Sequence, residues 1–244
     1  MRLHTFSISH FSEKARWALQ YEGVDFEERR HLPGFHVLAI RRLAPRTSVP
    51  VLEHEGRRIQ GSGAILDYVQ NALGRKRLAP RPGDEARASE IEATADRAFG
   101  LGVQRIFYDV LLRHRAVCID LWAQDAPGWA TIAYRLAFPA IGRALKRTYK
   151  IRPDVVEEAK ARFRDAWATI DDALADGRPW LGGDAPSRAD VTVAALLGPV
   201  VRPPEHHVRW PEVPEGEPVK AWVASLEGTP TWSLVRRMYA EHRR

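Results

Sequence analysis

Residues 48–69 read Ser-Val-Pro-Val-Leu-Glu-His-Glu-Gly-Arg-Arg-Ile-Gln-Gly-Ser-Gly-Ala-Ile-Leu-Asp-Tyr-Val, and this stretch decides the fold. The apolar run at 49–52 predicts a short strand, the Glu-Gly pair at 55–56 a tight turn, and residues 57–59 the return strand. Ser62 has the position of a helix cap, because an apolar face with helical spacing follows it. This order of strand, turn, strand and helix suggests a small-ligand site formed largely by backbone.

Length and composition are those of an ordinary globular protein. The chain has 244 residues, of which 45% are hydrophobic, enough for one large domain or two small ones with a real core. A single cysteine, Cys118, excludes an internal disulfide and fits a reducing compartment. The sequence shows neither a secretory leader nor an apolar run of about 18 residues, so we expect a cytoplasmic protein without a membrane partner.

The charge balance is basic, with 37 Lys and Arg against 31 Asp and Glu, a net charge of +6 and a sequence pI near 9.7. Such a balance is compatible with nucleic acid or with an anionic small ligand. The arginine pairs are scattered and mostly lie beside glutamates, without a basic stripe or interleaved aromatic residues. We therefore expect no nucleic-acid partner.

Up to about residue 80 the sequence alternates between strand and helix signals. Residues 3–8 predict a strand, residues 11–22 an amphipathic helix and residues 24–30 a second strand. Together with the strands and helix of the 48–69 stretch, they predict a mixed α+β domain over residues 1–78.

A Pro/Gly-rich linker follows at residues 78–84, and strand signals vanish beyond it. We expect an all-helical domain over residues 84–244, with a long irregular loop at 198–218, where six prolines occur. Ser187 and Asp190 have the spacing of a capping box that opens a helix. Other helices are predicted at 84–117, 129–149, 155–175, 219–226 and 231–241.

The corner between the first strand and the first helix carries two hydroxyl groups, in the run Ser-His-Phe-Ser-Glu-Lys at 9–14. A side chain there faces the positive end of the helix dipole, where an anion such as a thiolate is stabilised and a hydroxyl can donate to it. Ser9 can also be a plain helix cap, and a serine at such a junction has that role more often than a catalytic one. Ser12 can also cap, and the simplest interpretations of His10 and Lys14 are a solvated turn residue and a charged helix face.

In this order the motifs resemble those of the cytosolic glutathione S-transferases, from Ser9 through the Val-Pro strand at 49–52 to Ser62 and the Ser187 box. The resemblance covers nearly the whole chain. It implies a thioredoxin-like N-terminal domain, in which Pro50 is cis, followed by an all-helical C-terminal domain that supplies the second-substrate pocket. It also implies glutathione as co-substrate, no metal, a small electrophile, a role in detoxification and a homodimer. In that dimer the hairpin and first helix of one subunit would meet the helical domain of the other.

The resemblance also assigns roles to individual residues. Ser9 falls on the position that activates the glutathione thiol, and its hydroxyl is expected to favour the thiolate for attack on an electrophile. Relatives with a cysteine at position 9 or 12 can form a mixed disulfide there. Because this chain has serine at both positions, that route is unavailable. Val49 is expected to pair through its backbone with the cysteinyl unit, and Ser62 to bind the γ-glutamyl carboxylate. The glutathione-binding residues implied in this way are Phe11, Ser12, Val49, Pro50, Gly61 and Ser62.

Two departures from the family pattern leave a second function open. Gly61 stands where relatives usually carry Glu or Gln, and Ser48 where they often carry Lys or Gln. Two polar contacts to glutathione are then missing, unless Gln60, His36, Arg41 or Arg46 replaces them. Two lost hydrogen bonds would weaken binding several-fold to about a hundredfold. The alternative is a non-catalytic module of the same fold that binds a partner protein or another anionic small molecule.

The remaining candidates have plain structural interpretations. His206 and His207 lie in the Pro-rich loop without a partner at metal-ligand spacing, which predicts solvated histidines. Cys118 is predicted to be a buried small hydrophobe. The aromatic residues of the helical domain, which belong to a core more often than to a pocket, are Tyr108, Trp122, Trp129 and Tyr134.

Overall fold

The computed structural model describes residues 1–124 and 126–243, and its N-terminal part contains a four-stranded sheet. The strands are β1 Arg2–Thr5, β2 Glu27–Arg30, β3 Val51–His54 and β4 Arg57–Gln60. Their order in the sheet is β2-β1-β3-β4, with β1 and β2 parallel and the other two pairs antiparallel. Each strand overlaps a predicted one, although β3 begins two residues later than the apolar run suggested.

The hairpin between β3 and β4 turns at Glu55 and Gly56, whose φ angles are 48° and 75°. Two consecutive left-handed residues form the tight turn that matches the twist of a hairpin, and glycine adopts this conformation without strain. The register places Val51 opposite Gln60. Strand pairing therefore ends directly before Gly61, which brings the start of the next helix beside the start of β3.

Three helices belong to this N-terminal half: α1 His10–Tyr21, α2 Val37–Arg41 and α3 Ser62–Asn71. The apolar faces of α1 and α3 pack together with the sheet, because their apolar residues recur at three- and four-residue steps. The core that they share consists of Leu3, Ala15, Leu19, Leu52, Ile65 and Val69. The mixed sheet with these helices confirms the predicted thioredoxin-like domain.

The C-terminal half is helical, as predicted. Its helices are α4 Glu85–Ala95, α5 Leu101–Leu111, α6 Arg115–Trp122, α7 Trp129–Tyr149, α8 Pro153–Ala173, α9 Arg188–Val201, α10 Pro218–Ala224 and α11 Pro230–His242. The largest core lies around α9, whose residues are buried almost along its whole length. In the described part of the chain, no helix combines the length and apolar character needed to cross a bilayer.

The single helix predicted over residues 84–117 is wrong, because the chain there is divided. A π-helical turn at Asp96–Gly100 separates α4 from α5, and a further break follows α5. At Gly100 a Cβ would lie 2.5 Å from the ring of Phe11, so glycine allows α1 to approach this closely. Turns of this kind are rare and often lie at functional sites.

The predicted capping box is confirmed at the start of α9. Asp190 accepts hydrogen bonds from three backbone N–H groups and from the Ser187 hydroxyl, at 2.7 to 3.0 Å. The helix then continues through Pro199 to Val201. The irregular loop that the prolines predicted from residue 198 therefore begins after Val201.

Lys14 is not the solvated helix residue that the sequence suggested. Its side chain is fully buried, and Nζ donates to Glu92 Oε1 at 3.0 Å and to Asp96 Oδ2 at 2.8 Å. Arg188 of α9 donates to the same Glu92. These ion pairs join α1 to α4 and α9, so the charge of Lys14 stabilises the interface between the two halves of the molecule.

Candidate functional site

Ser9 caps α1 and leaves its own hydroxyl hydrogen for a ligand. Its Oγ accepts a hydrogen bond from the Ser12 N–H at 3.2 Å. Ser12 is fully buried, and its Oγ accepts from the Phe6 N–H at 3.3 Å. Within the described residues, the Ser9 O–H has no protein acceptor. Because a hydroxyl accepts and donates at once, capping and donation to a ligand are compatible.

The peptide bond between Val49 and Pro50 is cis, as the resemblance implies. Both residues are buried, and Val49 is 8% exposed. Pro50 O accepts from Gly61 N at 2.9 Å, which ties this corner to the start of α3. The backbone of Val49 lies just before the first paired residue of β3, Val51, at the open end of the strand.

The cap of α3 is Gly61 rather than Ser62. Gly61 has φ 103° and ψ 143°, a conformation that residues with a Cβ rarely adopt. Ser62 is the first helical residue and is 5% exposed. In the part of the chain that the structure describes, no side chain caps this helix. The N–H groups of its first turn therefore remain available to an anion.

Gln60 does not fill the gap that Gly61 leaves. Its side-chain amide accepts from Arg46 N at 3.2 Å and donates to the carbonyls of Arg46 and Ser48 at 2.7 and 2.8 Å. These bonds hold residues 46–48 against β4. The Nη2 atom of Arg46 lies 4.0 Å from the place that a Cβ at Gly61 would take. The structure thus provides a cation beside the start of α3, where an amide or carboxylate side chain was missing.

A cavity of about 600 Å³ opens between the two halves, and its lining is mostly apolar. The sequence-predicted residues that line it are Ser9, Phe11 and Val49. The predicted residues outside the lining are Ser12, Pro50, Gly61 and Ser62. Ser12 is directed into the protein interior, whereas Gly61 and Ser62 lie at the neighbouring start of α3. The structure thus divides the predicted residues between the cavity and its surroundings.

The helical half supplies an apolar wall from α5 to α7. Tyr108 and Tyr149 belong to this wall and stack with their ring centroids 5.7 Å apart. Burial raises the pKa of Tyr108, so its phenol stays protonated. Trp122 and Tyr134 belong to an adjacent core cluster, and Trp129 is 59% exposed. Of the four aromatic candidates, only Tyr108 lines the cavity.

A third wall comes from residues 199–211, which we call the closing segment. Pro199, Arg202, Trp210 and Pro211 of this segment line the cavity. The Pro-rich chain after α9 therefore covers the site. The sequence did not reveal this role, because prolines mark the segment as irregular without indicating which surface it packs against.

The histidines of the closing segment are not solvated as predicted. His206 is 8% exposed, and burial lowers its pKa to about 3. The Nε2 atom of His207 lies 2.9 Å from Ser7 O and must donate, since a carbonyl only accepts. Ser7 lies two residues before Ser9. This bond therefore connects the closing segment to the corner that carries the candidate catalytic hydroxyl.

Glu13 places a buried carboxylate next to both histidines, with one potential ligand atom of each residue within 4.8 Å of the others. The carboxylate is 1% exposed and accepts from Arg16 Nη1 and from Arg243 Nε, the latter at 2.6 Å. Desolvation opposes its ionisation, but the two guanidinium groups prevail and hold the pKa of Glu13 at about 2. Because these arginines occupy the carboxylate and repel cations, the cluster has the chemistry of an ion-pair network rather than of a metal site.

His10 lies in the cavity wall and not in solvent. It is 4% exposed, and its Nε2 donates to Gly100 O at 2.9 Å. Burial lowers the pKa of His10 to about 4, so its ring is neutral at pH 7. Cys118 is buried as predicted, and burial raises the pKa of its thiol to about 12. A thiol with so high a pKa is unreactive at neutral pH.

Comparison with known proteins identifies both halves of the chain. Residues 3–77 match the family "Glutathione S-transferase, N-terminal domain", and residues 153–225 match "Glutathione S-transferase, C-terminal domain". A glutathione S-transferase of Pseudomonas putida is 34% identical over 92 residues, which are 37% of this chain and 41% of that protein. The aligned part thus spans less than half of this curated relative.

Solved structures share the fold over nearly the full length. The β-etherase LigF from Sphingobium sp. strain SYK-6 has a TM-score of 0.59 at 19% identity, covering 98% of both chains. A glutathione S-transferase from Methylobacterium radiotolerans, in complex with glutathione sulfonate, has a TM-score of 0.62 at 19% identity, covering 99% of this chain and 93% of that one. Identities this low establish the fold alone, whereas the two domain matches together span more than half of the sequence. The chain belongs to the glutathione S-transferase family.

Proposed function

We propose that this protein is a glutathione transferase in which Ser9 activates the thiol of glutathione for attack on a small electrophile. The observation that carries the proposal is the Ser9 hydroxyl, which caps α1, keeps its hydrogen for a ligand and lines the apolar cavity together with Val49. A thiolate at this corner gains a charge-assisted hydrogen bond and a favourable interaction with the helix dipole. Both lower the pKa of the bound thiol, so more nucleophile is present at pH 7.

Glutathione would bind along the edge between β3 and α3. Val49 offers its backbone to the cysteinyl unit at the open end of β3, and the N–H groups at the start of α3 offer a site for the γ-glutamyl carboxylate beside Ser62. Arg46 adds positive charge at this end, which offsets part of the contact that Gly61 cannot make. Buried Ser12 would act through its N–H, which holds Ser9 Oγ in place.

The two halves would divide the work of the reaction. Residues 1–78 form the proposed glutathione domain, and residues 84–244 the domain that holds the electrophile. The glutathione sulfur bonds to the electrophilic carbon, a leaving group departs with its electron pair, and the thiol proton passes to solvent. Neutral His10 already donates to Gly100, which argues against its serving as an acid at pH 7. The family membership supports a homodimer, and the single buried Cys118 supports a cytoplasmic location.

Calorimetric titration with glutathione, together with a conjugation assay using chlorodinitrobenzene, tests this proposal. We expect saturable heat at millimolar glutathione or below and enzyme-dependent release of chloride. A titration without heat at millimolar ligand would contradict the transferase and favour the non-catalytic module, for which Ser48 and Gly61 are the supporting observations. Sedimentation at micromolar concentration tests the dimer, which a 27.6 kDa species alone would contradict.

A further inference from the structure

The cavity contains a guanidinium group that the protein itself uses only in part. Arg202 directly follows α9 as its C-cap and lines the cavity. Its φ of 52° and ψ of 54° define a left-handed conformation that is uncommon outside glycine. Its Nε donates to Pro199 O at 3.3 Å and its Nη1 to Pro211 O at 2.7 Å. Among the residues that the structure describes, Nη2 has no protein acceptor, and no carboxylate forms an ion pair with this guanidinium. Arg202 therefore presents a donor, Nη2, and a positive charge that no carboxylate of the described residues contacts directly.

A second donor of the closing segment has no partner among the described residues, but its burial shields it from the cavity. The indole Nε1 of Trp210 is buried and has no hydrogen-bond partner within residues 1–124 and 126–243. His206 contacts the Trp210 ring edge-on, with centroids 5.2 Å apart, and so holds its orientation. Arg202 binds the carbonyl of Pro211, the residue directly after Trp210. Arg202 is thus held by the closing segment, whose Trp210 side chain also lines the cavity.

In these surroundings it is unfavourable for the Arg202 guanidinium to lack an acceptor. The ring of Phe107 lies 6.0 Å from Arg202 Cζ and belongs to the apolar lining of the cavity. Burial lowers the pKa of Arg202 although Glu212 acts in the opposite direction, yet an arginine keeps its charge in proteins. This cation has lost hydration, and the attraction of Glu212 offsets that loss only in part. An anionic group on a ligand would recover that free energy.

We propose that Arg202 forms an oxyanion subsite, and that the electrophile is an aromatic compound carrying a carboxylate or a comparable oxygen anion. The inference rests on the proposed transferase function for the reaction and adds which electrophile is selected. Arg202 Nη2 donates to an oxygen atom of the substrate, and the substrate ring packs on the apolar wall that includes Phe107 and Tyr108. With a chloroaryl acceptor, sulfur bonds to the ring carbon, chloride leaves with the electron pair of the C–Cl bond, and the thiol proton goes to solvent.

The first test compares a chlorodinitrobenzoate with its methyl ester, which share a leaving group and differ in charge. The two acceptors differ in intrinsic reactivity, so the quantity compared between variants is the acid-to-ester ratio of kcat/KM. We expect R202Q to lower this ratio about tenfold or more, because it removes the charged donor to the carboxylate. R202K keeps the charge and should retain part of the preference. T148V alters another polar residue of the cavity lining and is the matched control, for which we expect an unchanged ratio.

Binding of an unreactive acid tests the subsite without turnover. In the wild-type protein, calorimetry should show dinitrobenzoate binding about tenfold or more tightly than its methyl ester, and R202Q should abolish the difference. Equal affinities for the acid and the ester in the wild-type protein would overturn the inference. A protein that binds and conjugates glutathione without an acid preference would refute the subsite alone. Preferential binding of dinitrobenzoate without any binding of glutathione would refute the transferase and leave the subsite supported.

Discussion

Two walls of the cavity differ in how they are built. The N-terminal wall presents a capping hydroxyl, Ser9, and the backbone around Val49, whereas the closing segment at 199–211 presents the side chains of Arg202 and Trp210. Groups on the first wall are fixed by helix and strand geometry, so they are tied to the fold. The side chains on the second wall are held instead by contacts within the closing segment itself. The difference indicates that the thiol chemistry is set by the fold, while the choice of electrophile is set by individual side chains.

The largest effect is expected at the buried carboxylate of Glu13, whose ion pairs with Arg16 and Arg243 tie α1 to the residue that follows α11. The pKa of Glu13 lies at about 2, below the ordinary value of 4.5, so its stabilisation is complete above pH 4.5 and is lost as the pH falls toward 2. We expect E13Q to lower the free energy of unfolding at pH 7 by about 3 kcal/mol and to flatten its pH dependence between pH 5 and pH 3. Urea denaturation at these pH values measures both effects.

E27Q is the matched control for this carboxylate. Glu27 pairs with Arg2 on the surface, where solvent screens the interaction, so this variant should unfold at the wild-type urea concentration. If E13Q and E27Q behaved alike at pH 7, the buried ion pairs of Glu13 would contribute no more to stability than the surface pair.

The next effect separates two hydroxyls that lie three residues apart on the N-terminal wall. S9A removes the donor to the thiolate, and we expect kcat to fall about tenfold to a hundredfold with little change in the KM for glutathione. S12A instead leaves the Phe6 N–H without its acceptor, which should lower stability by about 1 kcal/mol while preserving most of the turnover. Steady-state kinetics and thermal unfolding of both variants provide the comparison. Equal turnover of S9A and the wild-type protein would remove Ser9 from the mechanism.

A smaller effect on stability is expected from backbone geometry at the start of α3. Gly61 has φ 103°, so G61A should cost about 1–2 kcal/mol of unfolding free energy through strain. Gly63 lies in the same helix with an open space around its Cβ position, so G63A should be neutral or slightly stabilising. Urea denaturation of the pair isolates the conformational requirement. Similar stabilities of G61A and G63A would show that the glycine cap is dispensable.

Local patterns in the sequence were sufficient to predict what the backbone does. The turn at Glu55-Gly56 and the box of Ser187 and Asp190 are fixed by residues within four positions of one another, and both are confirmed. The cis bond before Pro50 came from the family resemblance and is also present. Such features carry a residue signature because each depends on a particular conformation or cap.

Long-range packing explains what the sequence could not predict. Lys14 reads as solvated because its partner Glu92 is 78 positions away, and the pair is buried only when α1 packs against the helical half. Arg202 and Trp210 lie in a segment that reads as an irregular loop, and nothing in their spacing indicates that they share a cavity with Ser9. Side chains that meet only in the folded protein leave no periodic signal.

The smallest effect is expected at the hydrogen bond that connects the walls directly. His207 Nε2 donates to Ser7 O, and His207 Nδ1 lies 3.5 Å from Glu13 Oε2. In H207A the Ser7 carbonyl loses its donor and the corner carrying Ser9 gains freedom, so we expect kcat to fall about twofold to fivefold while the KM for glutathione changes less. H207Q can still donate to the carbonyl and should restore most of kcat. If His207 positions the corner that carries Ser9, kcat must fall more than KM changes in H207A, and H207Q must recover most of kcat. If both variants lowered only thermal stability, the closing segment would cover the cavity without orienting the hydroxyl on the opposite wall.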